Sequence, residues 1–546
     1  MIVRWGVASD CYRDSVALLA VSARLAASAG VSRASVAMAT PANVAAAVDA
    51  GAAGPLDAGP SDVLVLVVAD SEEAADAALA DGLAALTATI DPAVGGSGSG
   101  GEEPATCIAD ALARSSGGHA PSVALISVPG PFAAAEARKA LDAGLHVMIF
   151  SDNVAVEAEV ALKALGRSRG LLVMGPDCGT AILDGTPLAF ANVVRRGPVG
   201  LVGASGTGLQ EVSTQLDRLG IGVSQLIGTG GRDLSPAVGG SSTLDALLLL
   251  GADPATQVVV LVSKPPDAAV ARRVLEVAGS LGKPVVAVML GTDVAAVAPA
   301  GVYGAATLAE AARLAARLAE APAADRGGFV ATGLGGPIAA IPGGPDAAGL
   351  AAALGGAAVT AATAAASAHG VGDDRPRRWL RGLFSGGTLG YEAQLVLRGL
   401  GVTVASNAPA PGSVRLGAGA GLEGHVVVDL GADEFTDGHP HPMIDPATRD
   451  RWVAEALEDP TVAVVLLDVV LGHGASGDPL AGLLPLLVAR RSGPDVVVHV
   501  CGTDADPVPR RAVVDALRRA GALVAPSNAA AAELAAERLM APERQP

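Results

Sequence analysis

Gly203-Ala-Ser-Gly-Thr-Gly-Leu-Gln-Glu211 follows the apolar run Val199-Gly-Leu-Val202 and opens a helix-periodic stretch reaching about residue 219. Glycines 203, 206 and 208 permit tight curvature and close approach, and Ser205 and Thr207 offer hydroxyl and amide donors at the helix start. Unpaired amides and the helix dipole both favour an anion there, phosphate or carboxylate. Taken alone, the same residues also describe an ordinary N-cap with glycine punctuation.

Two neighbouring segments strengthen the anion reading. Met174-Gly-Pro-Asp-Cys-Gly-Thr180 and Gly228-Thr-Gly-Gly-Arg-Asp233 each close a strand, and ligands of open α/β sheets gather at the carboxyl ends of strands. Asp177, Gly230 and Gly231 are therefore expected at the binding site, with Arg232 on a substrate oxyanion and Glu211, Arg232 and Asp233 as the catalytic candidates. For Asp177 and Asp233 the alternative is a turn-capping aspartate. Cys178 reads as a buried spectator, because no histidine lies between His146 and His369 to activate it. Lys264, in Ser263-Lys-Pro-Pro266, ends another strand and either contacts the anion or reaches solvent.

Strand-like and alanine-rich helical runs alternate from end to end, the pattern of parallel sheets covered by helices. The organisation expected is a small N-terminal α/β domain (1–92), a Gly/Ser linker (93–105) and a reduced Rossmann-like segment (106–185). A flavodoxin-like domain (186–322), an Ala/Gly-rich linker (323–376) and a second flavodoxin-like domain (377–540) follow. Ser385-Gly-Gly-Thr-Leu-Gly-Tyr-Glu392 echoes Ser205–Glu211 with one residue inserted, so a duplication and a chance recurrence of turn residues both remain open. Ser385, Gly386 and Gly387 join the binding candidates. Downstream, Asp437-Gly-His-Pro-His-Pro-Met-Ile-Asp445 carries His441, and Asp468-Val-Val-Leu-Gly-His-Gly-Ala-Ser476 ends a strand in a turn with Gly472, His473 and Gly474. The H-x-H spacing does not match the helical zinc signature, so no metal is expected; His441 reads as part of a substrate-contacting or interface loop, and Gly472, His473 and Gly474 as a second anion turn.

The 546 residues carry 37 basic and 55 acidic side chains, a net charge of −18 that disfavours nucleic acid. Four scattered cysteines without a C-x-x-C pair, no secretory leader and no apolar run long enough to span a bilayer point to a cytoplasmic protein away from membranes.

Together these segments resemble the FdrA family, distant relatives of the two-subunit ADP-forming succinyl-CoA synthetase, over nearly the whole chain. The motifs are Gly175–Thr180, Pro187-Leu-Ala-Phe-Ala-Asn192, Gly203–Glu211, Gly230–Leu234, Ser263–Pro266 and Pro440–Asp445. The resemblance implies a synthetase-like multidomain α/β fold, with residues 106–320 like the synthetase α subunit and 376–540 like the carboxyl-terminal domain of its β subunit. It places Ser205, Gly206 and Thr207 on a phosphate-contacting loop, Glu211 on a catalytic-loop glutamate, and the facing phosphate turn at Gly472–Ala475.

It also exposes departures. The stretch Gly291–Ala300, where the synthetase carries its phosphorylated histidine, has none, and neither a glycine-rich CoA loop nor an ATP-grasp domain is found. What remains suits phosphorolysis. The family is associated with oxamate carbamoyltransferase in allantoin degradation, converting oxalurate and phosphate to oxamate and carbamoyl phosphate. Inorganic phosphate is then a substrate, no cofactor is tightly bound, and companion subunits are the partners, with a small carboxylate or amide as the other ligand. The alternatives are an acyl-CoA ligase of the succinate–CoA ligase type and a non-catalytic anion-binding scaffold.

Overall fold

The computed structural model describes residues 2–9, 11, 15–26, 28–40, 43–44, 47–48, 50–52, 58–59, 62–87, 105–115, 121–322, 377–417, 424–436, 440–490 and 493–541. Most of both expected linkers, including Gly95–Gly101 and 344–376, lies outside them, as does His439. Two compact units emerge, residues 1–119 with 436–440 and residues 120–435 with 441–546.

The first unit is a three-stranded antiparallel sheet of β1 (Ile2–Ala8), β2 (Val31–Met38) and β3 (Val63–Ala69), in the order β1-β3-β2. Central β3 is Val-Leu-Val-Leu-Val-Val-Ala because both faces are covered. Val63, Val65, Val67 and Ala69 pack with Leu18 and Leu25 of helix Ser15–Ala26 and Ala75, Ala78 and Leu86 of helix Glu72–Thr87. Leu64 and Leu66 pack with Ala39, Ala47 and Ala52. Strand β1 was not legible in sequence: Arg4 and Gly6 interrupt its apolar run, and pairing with β3 residue by residue from Ile2 to Ala8 decides it.

The second unit opens with the short parallel sheet β4 (Val123–Ile126), β5 (His146–Ile149) and β6 (Val173–Met174). The antiparallel hairpin β7 (Thr180–Leu183) and β8 (Thr186–Ala189) turns at Asp184-Gly185, both at positive φ as a tight hairpin requires. The hairpin lines the edge of the sheet β9 (Arg196–Gly203), β10 (Val223–Gly228), β11 (Val258–Ser263), β12 (Val285–Met289) and β13 (Val302–Gly304). The order β13-β12-β11-β9-β10 is the flavodoxin-like 5-4-3-1-2.

A third sheet holds β14 (Trp379–Phe384), β15 (Ala405–Ser406), β16 (Val414–Arg415), β17 (Val426–Asp429), β18 (Val462–Val470), β19 (Asp495–Cys501) and β20 (Leu523–Ala525). Its β17-β14-β18-β19-β20 run repeats that flavodoxin-like order, with the two-residue β15 and β16 added beyond β17. Both central sheets consist of near-continuous apolar strands, as sheets buried on both faces require.

The two flavodoxin-like layers share one core. Leu209, Val212 and Leu216 of helix Gly206–Arg218 lie in the same apolar cluster as Leu389, Ala393 and Leu397 of helix Gly387–Gly399 and Ala531, Ala532 and Ala535 of helix Asn528–Met540. Among the described residues, no helix is long and apolar enough to cross a membrane.

Candidate active site

Each flavodoxin-like sheet has its switch point where the strand order reverses, at the carboxyl ends of β9/β11 and of β14/β18. The two switch points meet. Ser205 caps helix Gly206–Arg218, its Oγ accepting from the Gly208 amide at 3.2 Å, and the same hydroxyl lies 2.8 Å from Thr388 Oγ1 at the start of helix Gly387–Gly399. A Cβ on Gly386 would stand 3.0 Å from Thr207 Cγ2, and one on Gly208 3.2 Å from Thr388 Cγ2, so glycine allows the turns this closeness. Two positive helix ends therefore face each other within one hydrogen bond's reach. Two buried hydroxyls at the strand ends, Ser263 and Ser385, have no hydrogen-bond partner among the described residues.

The facing turn differs from the one expected. Gly472–Ala475 packs its backbone on the segment after β8, with the His473 amide donating to Ala191 O at 2.9 Å, Gly472 and Gly474 hard against residues 189–191, and the His473 side chain exposed. The turn opposite Ser205–Thr207 is Ser385–Thr388.

Carboxylates close the second turn. Asp468 on β18 is fully buried and accepts from the amides of Ser385 and Gly386, both at 2.7 Å. Asp429, ending β17, abuts Gly387 and accepts from the Gly431 amide at 3.0 Å. Burial raises both carboxyls, with Lys264 opposing this at Asp429 and the two amides opposing it at Asp468. Asp177, at φ 57°, has an exposed surface although the surrounding protein desolvates its carboxyl. That desolvation, with Asp152 and Asp433 and against Lys264 and Arg232, brings its pKa up to about 6. Gly230 lies against Pro176 O, and a Cβ on Gly231 would stand 2.8 Å from Asp177 Oδ2, so these glycines join the 176–177 and 230–231 turns. Lys264 is exposed and forms no salt bridge among the described residues.

His441 enters from the loop before helix Ala447–Glu458. Its ring lies 6.0 Å from that of Phe190, its Nδ1 accepts from the Met443 amide at 3.2 Å, and its Nε2 crowds Gly431, where a Cβ would be 2.6 Å away. Burial holds its pKa down to about 4, so the imidazole is neutral at physiological pH.

Glu211 does not line this cleft. It is fully buried, with Oε2 2.7 Å from His499 Nε2 on β19 and Oε1 accepting from Gln215 Nε2 at 2.7 Å and the Asn528 amide at 3.4 Å. Burial alone would raise its pKa, but the charge and hydrogen bond of His499 outweigh it and hold the group down to about 2. Glu392, the counterpart in the other helix, accepts from Leu308 N at 2.7 Å and Asn528 Nδ2 at 2.8 Å. Burial lifts it to about 7, with Asn528 and Leu308 opposing and Glu211 adding to the rise. Asn528 thus joins both glutamates, and the expected catalytic glutamate is a linchpin between sheets.

Arg232 and Asp233 likewise have structural partners. Asp233 is fully buried, accepting from the amides of Ser242 (3.1 Å) and Thr243 (2.9 Å) and from Lys163 Nζ at 2.7 Å, which also bonds Glu159 at 2.8 Å. Arg232 Nη2 pairs with Glu159 Oε2 at 3.1 Å and donates to Val154 O at 2.7 Å, while 42% of its side chain stays exposed. Cys178 is buried beside Thr180 O and Gly228 O, and desolvation pushes its thiol up to about 12, as a spectator requires. Sequence reading passed over Asp429, Asp468, Thr388, His499 and Asn528. A carboxylate ending Val426-Val-Val-Asp429 and a histidine inside Val496-Val-Val-His-Val500 were the available signals, because a polar group in a buried strand needs a partner.

Residues 383–538 match the CoA-ligase family, and residues 1–103 match the family described as AllF, heavy metal-associated domain. A thiolate metal site does not fit that second segment, since Cys11 is the only cysteine among residues 1–103, no histidine accompanies it, and its Sγ lies 3.5 Å from Leu86 O. The uncharacterized protein YahF of Escherichia coli (strain K12) is 38% identical over 551 residues, 98% of each chain. Succinate–CoA ligase [ADP-forming] subunit alpha 2 of Archaeoglobus fulgidus is 31% identical over 26% of this chain and 50% of its own, and malate–CoA ligase subunit alpha of Methylorubrum extorquens 32% identical over 25% and 48%. The chain thus spans about half the length of these ligase subunits. With its CoA-ligase segment, its AllF segment and a relative matched from end to end, the chain belongs to the FdrA family, within the wider group of acyl-CoA-ligase-like proteins.

Proposed function

We propose that the chain is the phosphate-handling subunit of a carbamoyltransferase-like enzyme acting with companion subunits, with inorganic phosphate between the helix starts at Ser205–Gly208 and Gly386–Leu389. The observation that carries this is the 2.8 Å contact of Ser205 Oγ with Thr388 Oγ1, which brings two helix dipoles to oppose each other. The buried hydroxyls of Ser263 and Ser385, unpartnered among the described residues, add donors at the same strand ends.

In the reaction a phosphate oxygen attacks the carbamoyl carbon of a ureido acid such as oxalurate. The tetrahedral oxyanion collapses with cleavage of the C–N bond, the leaving nitrogen takes a proton, and carbamoyl phosphate and oxamate result. Asp177, raised to about 6, is suited to pass the proton that phosphate gives up to the leaving nitrogen. Lys264, exposed beside it, is suited to hold the substrate carboxylate. No step calls for CoA, nucleotide or a bound cofactor.

The test is carbamoyl phosphate formation from oxalurate and phosphate by the chain with its companion subunits. No product from the complete assembly sinks the reading. An acyl-CoA ligase is the second reading, favoured by the CoA-ligase match over residues 383–538. It requires nucleotide-dependent CoA-ester formation and a phosphorylated histidine in the same assay.

A further inference from the structure

The Met443 amide donates to Nδ1 of His441, so this nitrogen holds a lone pair and the single proton of the neutral ring stands on Nε2. Nε2 has no hydrogen-bond partner among the described residues, although the ring is packed on Phe190 and crowded by Gly431. A Cβ on Gly431 would lie 2.6 Å from that nitrogen and 2.8 Å from the carbonyl oxygen of Ser385, so the N–H is beside the second phosphate turn. The Ser385 hydroxyl in that turn is buried, 2% exposed, and equally without a partner. An imidazole N–H without a protein partner among the described residues and a buried hydroxyl whose unmade hydrogen bond is costly, from separate loops, therefore flank one helix start.

We propose that His441 is a catalytic hydrogen-bond donor of this site, its Nε2–H aimed at the substrate carbonyl oxygen that becomes the oxyanion when phosphate attacks. The proposal rests on the phosphorolytic reading above. As the new O–C bond forms, the carbonyl π pair moves onto oxygen and the Nε2–H bond to it strengthens. As the C–N bond breaks, the pair returns, and the imidazole ends as it began with its proton in place. A neutral donor suits this role because it stabilises the oxyanion without surrendering a proton. The same tautomer argues against His441 as a substitute for the missing phosphohistidine, since the nitrogen facing the turn carries a hydrogen in place of a nucleophilic lone pair.

The test uses the assembled enzyme with His441→Phe, which keeps a ring against Phe190 and removes the donor, and His441→Gln, which returns an N–H near the Nε2 position. His441→Phe should lower kcat by ~100-fold or more with the KM for phosphate nearly unchanged, and His441→Gln should restore at least about tenfold of that loss. Equal loss in both variants, or a loss confined to KM, overturns the proposal. A second readout does not depend on the carbamoyl reaction. In the histidine-15N-labelled full chain, the resonances absent from His441→Phe should report an Nε2–H tautomer from about pH 5.5 to 8.5. An Nδ1–H tautomer, or an acid-labile phosphoryl group on His441 after turnover, overturns it. Failure of carbamoyl phosphate to form with a correct tautomer and no phosphoryl group would instead count against the reaction assigned to the site.

Discussion

The Glu211 carboxylate and the His499 imidazole, 288 residues apart in sequence, meet at 2.7 Å with both side chains fully buried. The pair joins a helix of the first flavodoxin-like layer to a strand of the second. Removing one partner strands a charge in the shared core. His499→Leu should therefore cost about 3–5 kcal/mol in urea unfolding, while the double variant Glu211→Met/His499→Leu should recover part of it. A loss below about 1 kcal/mol for the single change would contradict this coupling.

Glu392 gives stability a pH dependence of definite sign. Its native pKa, raised from 4.5 to about 7, means that the folded chain holds a proton the unfolded chain has released. The stabilisation is complete below the unfolded value and is lost as pH rises through the folded one. Melting temperature should fall across that window in the wild type, and Glu392→Gln should flatten the dependence. An unchanged profile in the variant argues that another group is responsible.

Phosphate should protect the chain from unfolding by ~2.7 kcal/mol at a hundredfold excess over its dissociation constant. Gly386→Val inserts a side chain where a Cβ already lies 3.0 Å from both Asp468 Oδ2 and Thr207 Cγ2. The variant should keep its secondary structure and lose that protection. Full protection in Gly386→Val would place phosphate elsewhere.

Lys163 stands between Glu159 and Asp233 with its side chain 2% exposed. Lys163→Met leaves two buried carboxylates without their cation, an expected cost of about 3–5 kcal/mol. Hydrogen exchange should locate the loosening in residues 229–243, which Asp233 ties to the start of helix Ser241–Ala252. Uniform loosening across the second unit would mean that the network supports more than this loop.

The Gly203–Glu211 turn shows how far sequence reading reached. Its strand-to-helix geometry, its cap at Ser205 and its place at a strand end were legible, because capping and β-to-α periodicity are local. The partner turn was visible as an echo at Ser385–Glu392, but its position opposite Ser205 was not, since a 183-residue separation leaves no local trace. Glu211 was misread for the same reason: one turn into a helix beside a phosphate loop suggests chemistry, and only the fold reveals His499 and Asn528 waiting for it. Arg232 and Asp233 carried the charges expected of a site, and the fold spends them on Glu159 and Lys163.

Sequence alone determined the alternating α/β plan, the flavodoxin-like units, the family and the capped helix start at Ser205, which local residues can specify. Tertiary structure decided which turn faces it, which carboxylates are buried beside it, and that His441 is held neutral with its proton on Nε2. Those properties depend on desolvation and on hydrogen bonds between distant segments, which exist only once the chain has packed.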